Sequence, residues 1–451
     1  MNTPDSAFIR VINRRQVLAL AFGAMVGWSW VALTGVWIAG AGALGAMLAF
    51  GIGGGIVIFV GLTYAELAAA MPLVGGEHVY SHRALGRTAS FVCTWAILLG
   101  YASVVAFEAV ALPTVLEYLV PGFSRGYLWT IAGWDVNVTW VLTGALAAIA
   151  MIVINVLGIR TAARLQVLVV IVVLLSGLGL VSGAVVAGDM DNAAPLFNGG
   201  LAGMLSVLVM VPFMFVGFDV IPQSAEEIDL PFASIGKLLV MSILMAIAWY
   251  ALVIAAVAMA LPESERALSS LPTADAAAAL FNDSWAGKLL VVGGVAGILT
   301  SWNAFLIGGS RALYALAKAG QVPSAFAALH PVYRTPHRAI LLVGGFAVCA
   351  PLFGRPAMVW LVDAGGLGIV TAYAMVALSF LVLRVKEPDM ERPYRVRNGR
   401  LVGYLAFMLS LALASLYLPW SPAALVWPHE WIIVISWCVL GLLFHWFSNA
   451  D

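Results

Sequence analysis

Gly23-Ala24-Met25-Val26-Gly27-Trp28-Ser29-Trp30 sits in the middle of one long apolar stretch, and Val211-Pro212-Phe213-Met214-Phe215-Val216-Gly217-Phe218-Asp219-Val220-Ile221-Pro222 sits in the middle of another. Each stretch is otherwise long enough to cross a bilayer as a helix, which takes about 20 apolar residues. Each carries helix-breaking Gly or Pro near its centre. Backbone N–H and C=O groups freed at that depth have no water to bind. Such a break is tolerated only where it lines a cavity inside the protein.

The composition around these stretches is that of a polytopic membrane protein. Of 451 residues, 63% are hydrophobic and 10% charged, with a mean hydropathy of +1.02; soluble domains carry about 25% charged residues. That balance excludes a soluble enzyme and a disordered or fibrous chain. Twelve apolar segments fall at 16–40, 43–67, 89–119, 139–158, 163–187, 201–226, 237–261, 286–317, 339–354, 358–384, 401–419 and 431–448, numbered here as spans 1 to 12. The expected architecture is an all-α membrane protein. A segment 1–15 precedes a first half of five spans over 16–187, a second half of five over 201–384, and spans 11 and 12 over 401–448. The interrupted stretches are spans 1 and 6, the first of each half. Broken helices at corresponding positions of two halves point to a solute site built between inverted repeats.

Lysine and arginine number 22, as do aspartate and glutamate, so the net charge is zero. The basic excess that nucleic acid binding requires is absent. The basic residues are nonetheless sorted. With both termini on one side, only Arg125, Arg266, Lys288 and Arg355 fall on the other, and the remaining 18 stay with the termini. The positive-inside rule then places both termini in the cytoplasm, in a multi-pass protein of the inner (plasma) membrane. Trp129, Trp134, Trp420 and Trp427 lie near the opposite junctions, as interfacial anchors do. Cys93, Cys349 and Cys438 show neither disulfide nor metal spacing and are expected to be buried small hydrophobes.

Four motifs in order resemble the amino acid–polyamine–organocation (APC) superfamily of transporters. The first runs from Tyr64-Ala65-Glu66 through Pro72 and Gly75-Gly76-Glu77 to Tyr80. The second is Phe215-Val216-Gly217-Phe218-Asp219 followed by Ala225-Glu226-Glu227 and Pro231. The third runs from Asn303 through Ser310-Arg311 and Tyr314 to Gly320 and Pro323, then His330-Pro331 and Thr335-Pro336. The fourth is Glu391-Arg392-Pro393-Tyr394-Arg395. The resemblance covers nearly the whole chain. It implies a LeuT-like 5+5 inverted repeat with discontinuous helices 1 and 6, two extra C-terminal helices, and secondary transport by alternating access.

In that family the first break reads close to Ile-Gly-Ser-Gly-Ile and offers backbone N–H groups to an amino acid's carboxylate. Here it reads Val26-Gly27-Trp28-Ser29-Trp30, with a ring where a carboxylate would approach. Three acids lie within spans with no Lys or Arg at their depth: Glu108 in span 3, Asp219 in span 6 and Asp363 in span 10. Such an acid usually faces an interior cavity and is suited to binding an amine or relaying a proton. The resemblance sets Asp219 at a position tied in some members to proton coupling, sets Glu108 on a site-lining helix, and makes Phe213 the gating aromatic. The expected substrate contacts are Val26, Gly27, Trp28, Ser29, Trp30, Glu108, Phe213, Phe215, Val216, Gly217, Asp219 and Trp302. Asp363 is expected to join Phe213 in gating. Glu66, Glu226 and Glu227 are expected to pair with Arg311 or neighbouring loop arginines and close the inner gate. Thr300 and Ser301 match the pair with which sodium-coupled relatives hold their ion, since such oxygens suit a hard cation. The coupling ion stays open between H+ and Na+.

No HExxH metal motif, G-x-S-x-G nucleophile elbow or P-loop occurs, so neither a membrane enzyme nor a primary pump is expected. The expected function is a permease for a small amine or amino acid, proton-coupled or exchanging. The alternatives are a sodium-coupled neutral amino acid symporter and a sensor that binds without transporting. No cofactor is expected, and the partners are the solute and the lipid bilayer, with the chain a monomer or homodimer. The charge sorting predicts that a fluorescent protein fused after Asp451 will fluoresce, whereas alkaline phosphatase fused there will be inactive. Active phosphatase at that site would reverse the orientation.

Overall fold

A computed structural model describes residues 12–223 and 225–448, without the side chains of 159–166 and 232. Residues 1–11 of the expected leading segment, including Arg10, lie outside the described residues, as do the side chains of Arg160 and Arg164. Among the described residues, ten helices are long and apolar enough to cross a membrane. The number is eleven if Arg14–Ala32 and Thr34–Ala41, bent by 67° about Leu33, count as one span. The expected twelve is not reached because span 9 is short. It comprises a helix at His337–Cys349 and a 3-10 turn at Ala350–Phe353, ended by Gly354 with φ +65°.

The chain is mostly helical, as expected, with one small sheet in a loop. Tyr127–Ile131 and Trp134–Asn137 form a two-stranded antiparallel ribbon. Its two-residue turn, Ala132-Gly133, has positive φ at both positions, the twist that suits a tight hairpin. β-Formers on both sides of an Ala-Gly pair were the available signal. Trp129 and Trp134 therefore stand on this ribbon, and the Trp129 indole donates to the Leu352 carbonyl at 3.1 Å.

Small residues let the helices approach closely, as is usual where lipid supplies no hydrophobic drive. The second helices of the two halves, Ala43–Ala70 and Phe232–Ala260, pack on each other. So do the third helices, Arg87–Leu119 and Ser284–Lys318, and Ala357–Lys386 lies along Arg87–Leu119. Burial follows that order: 89% and 83% of the apolar windows are buried in the two third helices, but 11% in His429–Ser448. The third helices are thus enclosed by protein, while the last one offers most of its surface to lipid. Of the cysteines only Cys93 is buried; Cys349 and Cys438 are exposed on their helices, contrary to the expectation.

The breaks fall inside the quoted stretches. In span 1 the helix Arg14–Met25 stops and a short turn of helix resumes at Ser29–Ala32. In span 6 the helical pieces are Gly200–Leu208, Val211–Phe215 and Val220–Gln223. Pro212 opens the middle piece, where its missing N–H costs nothing. Gly217 has φ +135°, and a Cβ there would lie 2.7 Å from Ala24 Cβ and 2.9 Å from Met25 N. The two breaks are therefore pressed against each other. Outside them, Ile12 pairs with Ile228 as a parallel bridge, through Ile12 N to Glu227 O at 3.0 Å and Asp229 N to Ile12 O at 2.9 Å.

Strain and clash act together at Gly217. Gly217→Ala is expected to destabilise the fold by about 1–3 kcal/mol, read as a lower unfolding midpoint of the purified protein in detergent. An unchanged midpoint would mean that the breaks do not meet there.

Candidate functional site

The freed backbone groups of the two breaks are taken up by side chains from four other helices. The Tyr250 hydroxyl, from Phe232–Ala260, donates to the Met25 carbonyl at 2.6 Å and lies 3.4 Å from the Met214 carbonyl, so one side chain spans both breaks. The same hydroxyl lies 3.2 Å from Ser29 Oγ. Thr300 donates to the Gly23 carbonyl at 2.9 Å, and Thr273 to the Trp30 carbonyl at 3.1 Å. Glu108 Oε1 accepts the Trp28 N–H at 3.4 Å, and Asp219 Oδ1 accepts the Gly217 N–H at 2.7 Å. Each break thus has one carboxyl group on a freed N–H. Glu108 Oε2 and Asp219 Oδ2 are buried and make no close hydrogen bond, with the Ser301 hydroxyl near the first carboxyl group and the Tyr101 hydroxyl near the second.

Tyr250 was missed by the sequence reading. Its signal was a hydroxyl in mid-span, which needs a partner once buried.

Gly27 is the position that admits Glu108, because a Cβ there would overlap Glu108 Oε1 and stand 2.9 Å from Ser301 Oγ. Trp28 turns aside: its indole donates to Thr114 Oγ1 at 3.1 Å and its ring lies over Gly294. Gly297 allows the carbonyls of Val26 and Gly27 to come close to Ser284–Lys318. Trp30 meets Trp249 edge to face at 5.3 Å, and Phe215 meets Tyr250 at 5.7 Å. Phe213 contacts Phe107 at 5.8 Å and covers Gly365 and Ser103.

The structure therefore brings together Val26 to Trp30, Glu108, Phe213 to Gly217, Asp219, Thr300 and Ser301. Two expected members stand apart. Trp302 is buried with an unpartnered Nε1 and makes none of these ring contacts. Asp363 faces Glu430 and Tyr417 rather than Phe213. It sits two residues before Gly365, so the helix turns it away from the gating ring.

At the arginine-rich end the acids are paired, but not all as expected. Glu227 meets Arg311 at 2.9 Å, and both side chains are 2% exposed. Burial pushes the Glu227 carboxyl above its ordinary range, and Arg311 pulls it back. Glu66 pairs, as expected, with neighbouring arginines, Arg384 at 2.9 Å and Arg392 at 3.1 Å, because the helix Ala357–Lys386 ends beside it. Glu226 accepts the Val74 N–H at 3.2 Å. A cavity of about 660 Å³ opens here, lined among others by Met71, Val74, His78, Arg83, Glu226 and Lys318.

Residues 12–444 match the family described as amino acid permease. The chain is 25% identical to the branched-chain amino acid permease BcaP of Bacillus subtilis, over 98% of this chain and 93% of that one. It is 24% identical to the methylthioribose transporter of the same organism, over 87% of this chain and 85% of that one. It is also 24% identical to that organism's aspartate-proton symporter, over 89% of this chain and 78% of that one. These relatives are named for chemically different solutes.

Glu227→Gln leaves a buried guanidinium without its counter-charge, which costs about 3–5 kcal/mol. The expected result is faster labelling of a Val74→Cys reporter by a membrane-impermeant thiol reagent, because the arginine-rich end opens more often. An unchanged rate would show that the pair does not hold that end shut.

Proposed function

This chain belongs to the amino acid permease family, and on that ground we propose that it is a secondary active transporter of a small amine-bearing solute, working by alternating access between its two broken helices. In this reading all twelve apolar segments cross the inner membrane in a LeuT-like arrangement, with both termini in the cytoplasm. The arginine-rich end is then the inner gate. Transport is coupled to protons or proceeds by exchange, and the chain needs no resident cofactor.

The observation that carries the substrate class is Glu108. Its Oε1 caps the freed Trp28 N–H, and its Oε2 is buried and makes no close hydrogen bond. The anion-accepting face of the first break is thus already occupied by a carboxyl group of the protein. A second carboxylate brought by an α-amino acid would find that N–H already taken, and would meet like charge with no counter-ion whenever Glu108 is ionised. An ammonium group would meet an oxygen that lacks a close hydrogen bond, with the Val26 and Gly27 carbonyls close by. The reading therefore favours an amine over an amino acid. Phe213 covers the site, and the aromatic faces of Trp30 and Phe215 suit a cation.

Sodium coupling is the competing reading, since Thr300 and Ser301 offer hydroxyls beside span 1. The Thr300 hydroxyl has its one hydrogen between the Gly23 and Gly297 carbonyls, both at 2.9 Å, and its lone pairs would serve a cation, so uptake with and without a sodium gradient separates the two readings. Losing a charge-assisted contact costs about 1.5–3 kcal/mol. Glu108→Gln is therefore expected to weaken amine uptake into proteoliposomes about 10- to 100-fold. Amines are expected to raise the unfolding midpoint of the wild type more than their carboxylated counterparts do. Unimpaired uptake by the variant, or stabilisation by amino acids alone, would refute this substrate class. Binding without accumulation would make the protein a sensor.

A further inference from the structure

Directly beyond the second break, at the arginine-rich end, lies a polar cluster that the substrate site does not use. Glu77 opens the helix Glu77–Leu85, just after Gly75 and Gly76 with φ +104° and +37°. It is fully buried, as are Asp219 and Gln223. The Gln223 amide donates to Glu77 Oε2. Gln223 stands one turn from Asp219, with its N–H on the Asp219 carbonyl at 3.4 Å. A single turn of span 6 therefore connects the two carboxyl groups.

Glu77 Oε1 and Asp219 Oδ2 make no close hydrogen bond, but the Tyr64 hydroxyl stands near the Glu77 carboxyl group and the Tyr101 hydroxyl near that of Asp219; the buried hydroxyls of Tyr80 and Tyr373 have no partner. The rings close the space: Tyr64 meets Tyr80 at 6.4 Å, Phe218 at 5.3 Å and Tyr373 at 6.0 Å. The titratable groups that face the pair are these four tyrosines and Cys93. No cation among the described residues does so. The nearby arginines are engaged with Glu66 and Glu227. His78, next to Glu77, is held neutral, since burial and His82 lower it to about 4.

Two carboxylates in a dry cluster with no counter-charge cannot both be ionised. We propose that Glu77 and Asp219 form a carboxyl pair that holds one proton between them, and that the Gln223–Glu77 contact keeps this proton from the cytoplasm until the inner gate opens. Burial, with Asp219 beside it, pushes Glu77 well above the usual carboxylate range, as a proton-holding pair requires. An exit is at hand, because the 660 Å³ cavity reaches His78, the next residue along the chain. When Gln223 draws away, water enters, the carboxyl O–H bond breaks, and the proton leaves as hydronium. Two hydrated carboxylates remain, and the pair takes up one proton again when the cluster next meets the outer side. The coupling role rests on the transporter reading; the shared proton does not.

Two measurements separate these claims. Infrared spectroscopy of the purified protein reads protonated carboxyl groups directly. Glu77→Gln and Asp219→Asn are each expected to displace the same band, because the proton belongs to both. Two bands, each removed by one substitution alone, would overturn the pair. In proteoliposomes, Glu77→Gln is expected to lower pH-gradient-driven amine accumulation more than tenfold while counterflow persists, and Glu77→Asp is expected to restore part of the accumulation. Full gradient-driven accumulation by Glu77→Gln would overturn the coupling role. If the wild type shows neither accumulation nor counterflow, the transporter reading fails and the infrared result still decides the pair.

Discussion

The Tyr250 hydroxyl, 2.6 Å from the Met25 carbonyl and 3.4 Å from the Met214 carbonyl, meets the demand on which the rest of the structure depends. A helix broken at membrane depth leaves peptide groups with no water to bind, and each one left unpaired costs several kcal/mol. Here Tyr250, Thr300, Thr273 and Glu108 supply those partners from helices far apart in the chain, and Asp219 supplies one from within the second break. The two breaks are therefore over-determined in position. Side-chain hydrogen bonds hold them, and such bonds can be exchanged for others when helices move, whereas a continuous helical ladder offers no such alternative.

The same demand shapes the charges. At the arginine-rich end every inward-facing glutamate of the first two motifs except Glu77 has a basic or backbone partner, as Glu66, Glu226 and Glu227 show. Deeper in, Glu108, Asp219 and Glu77 meet N–H groups, an amide and hydroxyls but no cation. One end holds paired ions, an interaction that is strong while dry and weak once hydrated. The interior is a set of acids without a counter-charge, which in the proposed transporter would answer to a proton or an ammonium group. A net charge of zero over the whole chain conceals this division.

Much of the fold was legible in the sequence, because bilayer thickness imposes a length on apolar segments and backbone chemistry forbids Gly and Pro at mid-depth without reason. The breaks in spans 1 and 6 and the importance of Glu108 and Asp219 followed from that. The short span 9 and the Tyr127–Asn137 ribbon did not, since hydropathy alone does not show where a helix stops short or a loop folds into strands. Asp363 was grouped with the gate on depth alone, and helix rotation turns it toward Glu430; Trp302 was grouped with the substrate contacts on residue type, and its Nε1 is buried without a partner.

By itself the sequence determined that this protein lives in a membrane, where its helices must break, and which acids lie too deep to be solvated. These are one-dimensional constraints, set by the cost of placing a polar group at a given depth. Only the tertiary structure decided partnership: Tyr250 across both breaks, Arg384 and Arg392 as the arginines on Glu66, and Glu77 with Gln223 one turn from Asp219. Partnership depends on the rotation and close approach of helices, which small residues such as Gly27 and Gly217 permit but do not specify. Hydrogen bonds act over about 3 Å, so their pattern exists only once the helices have packed.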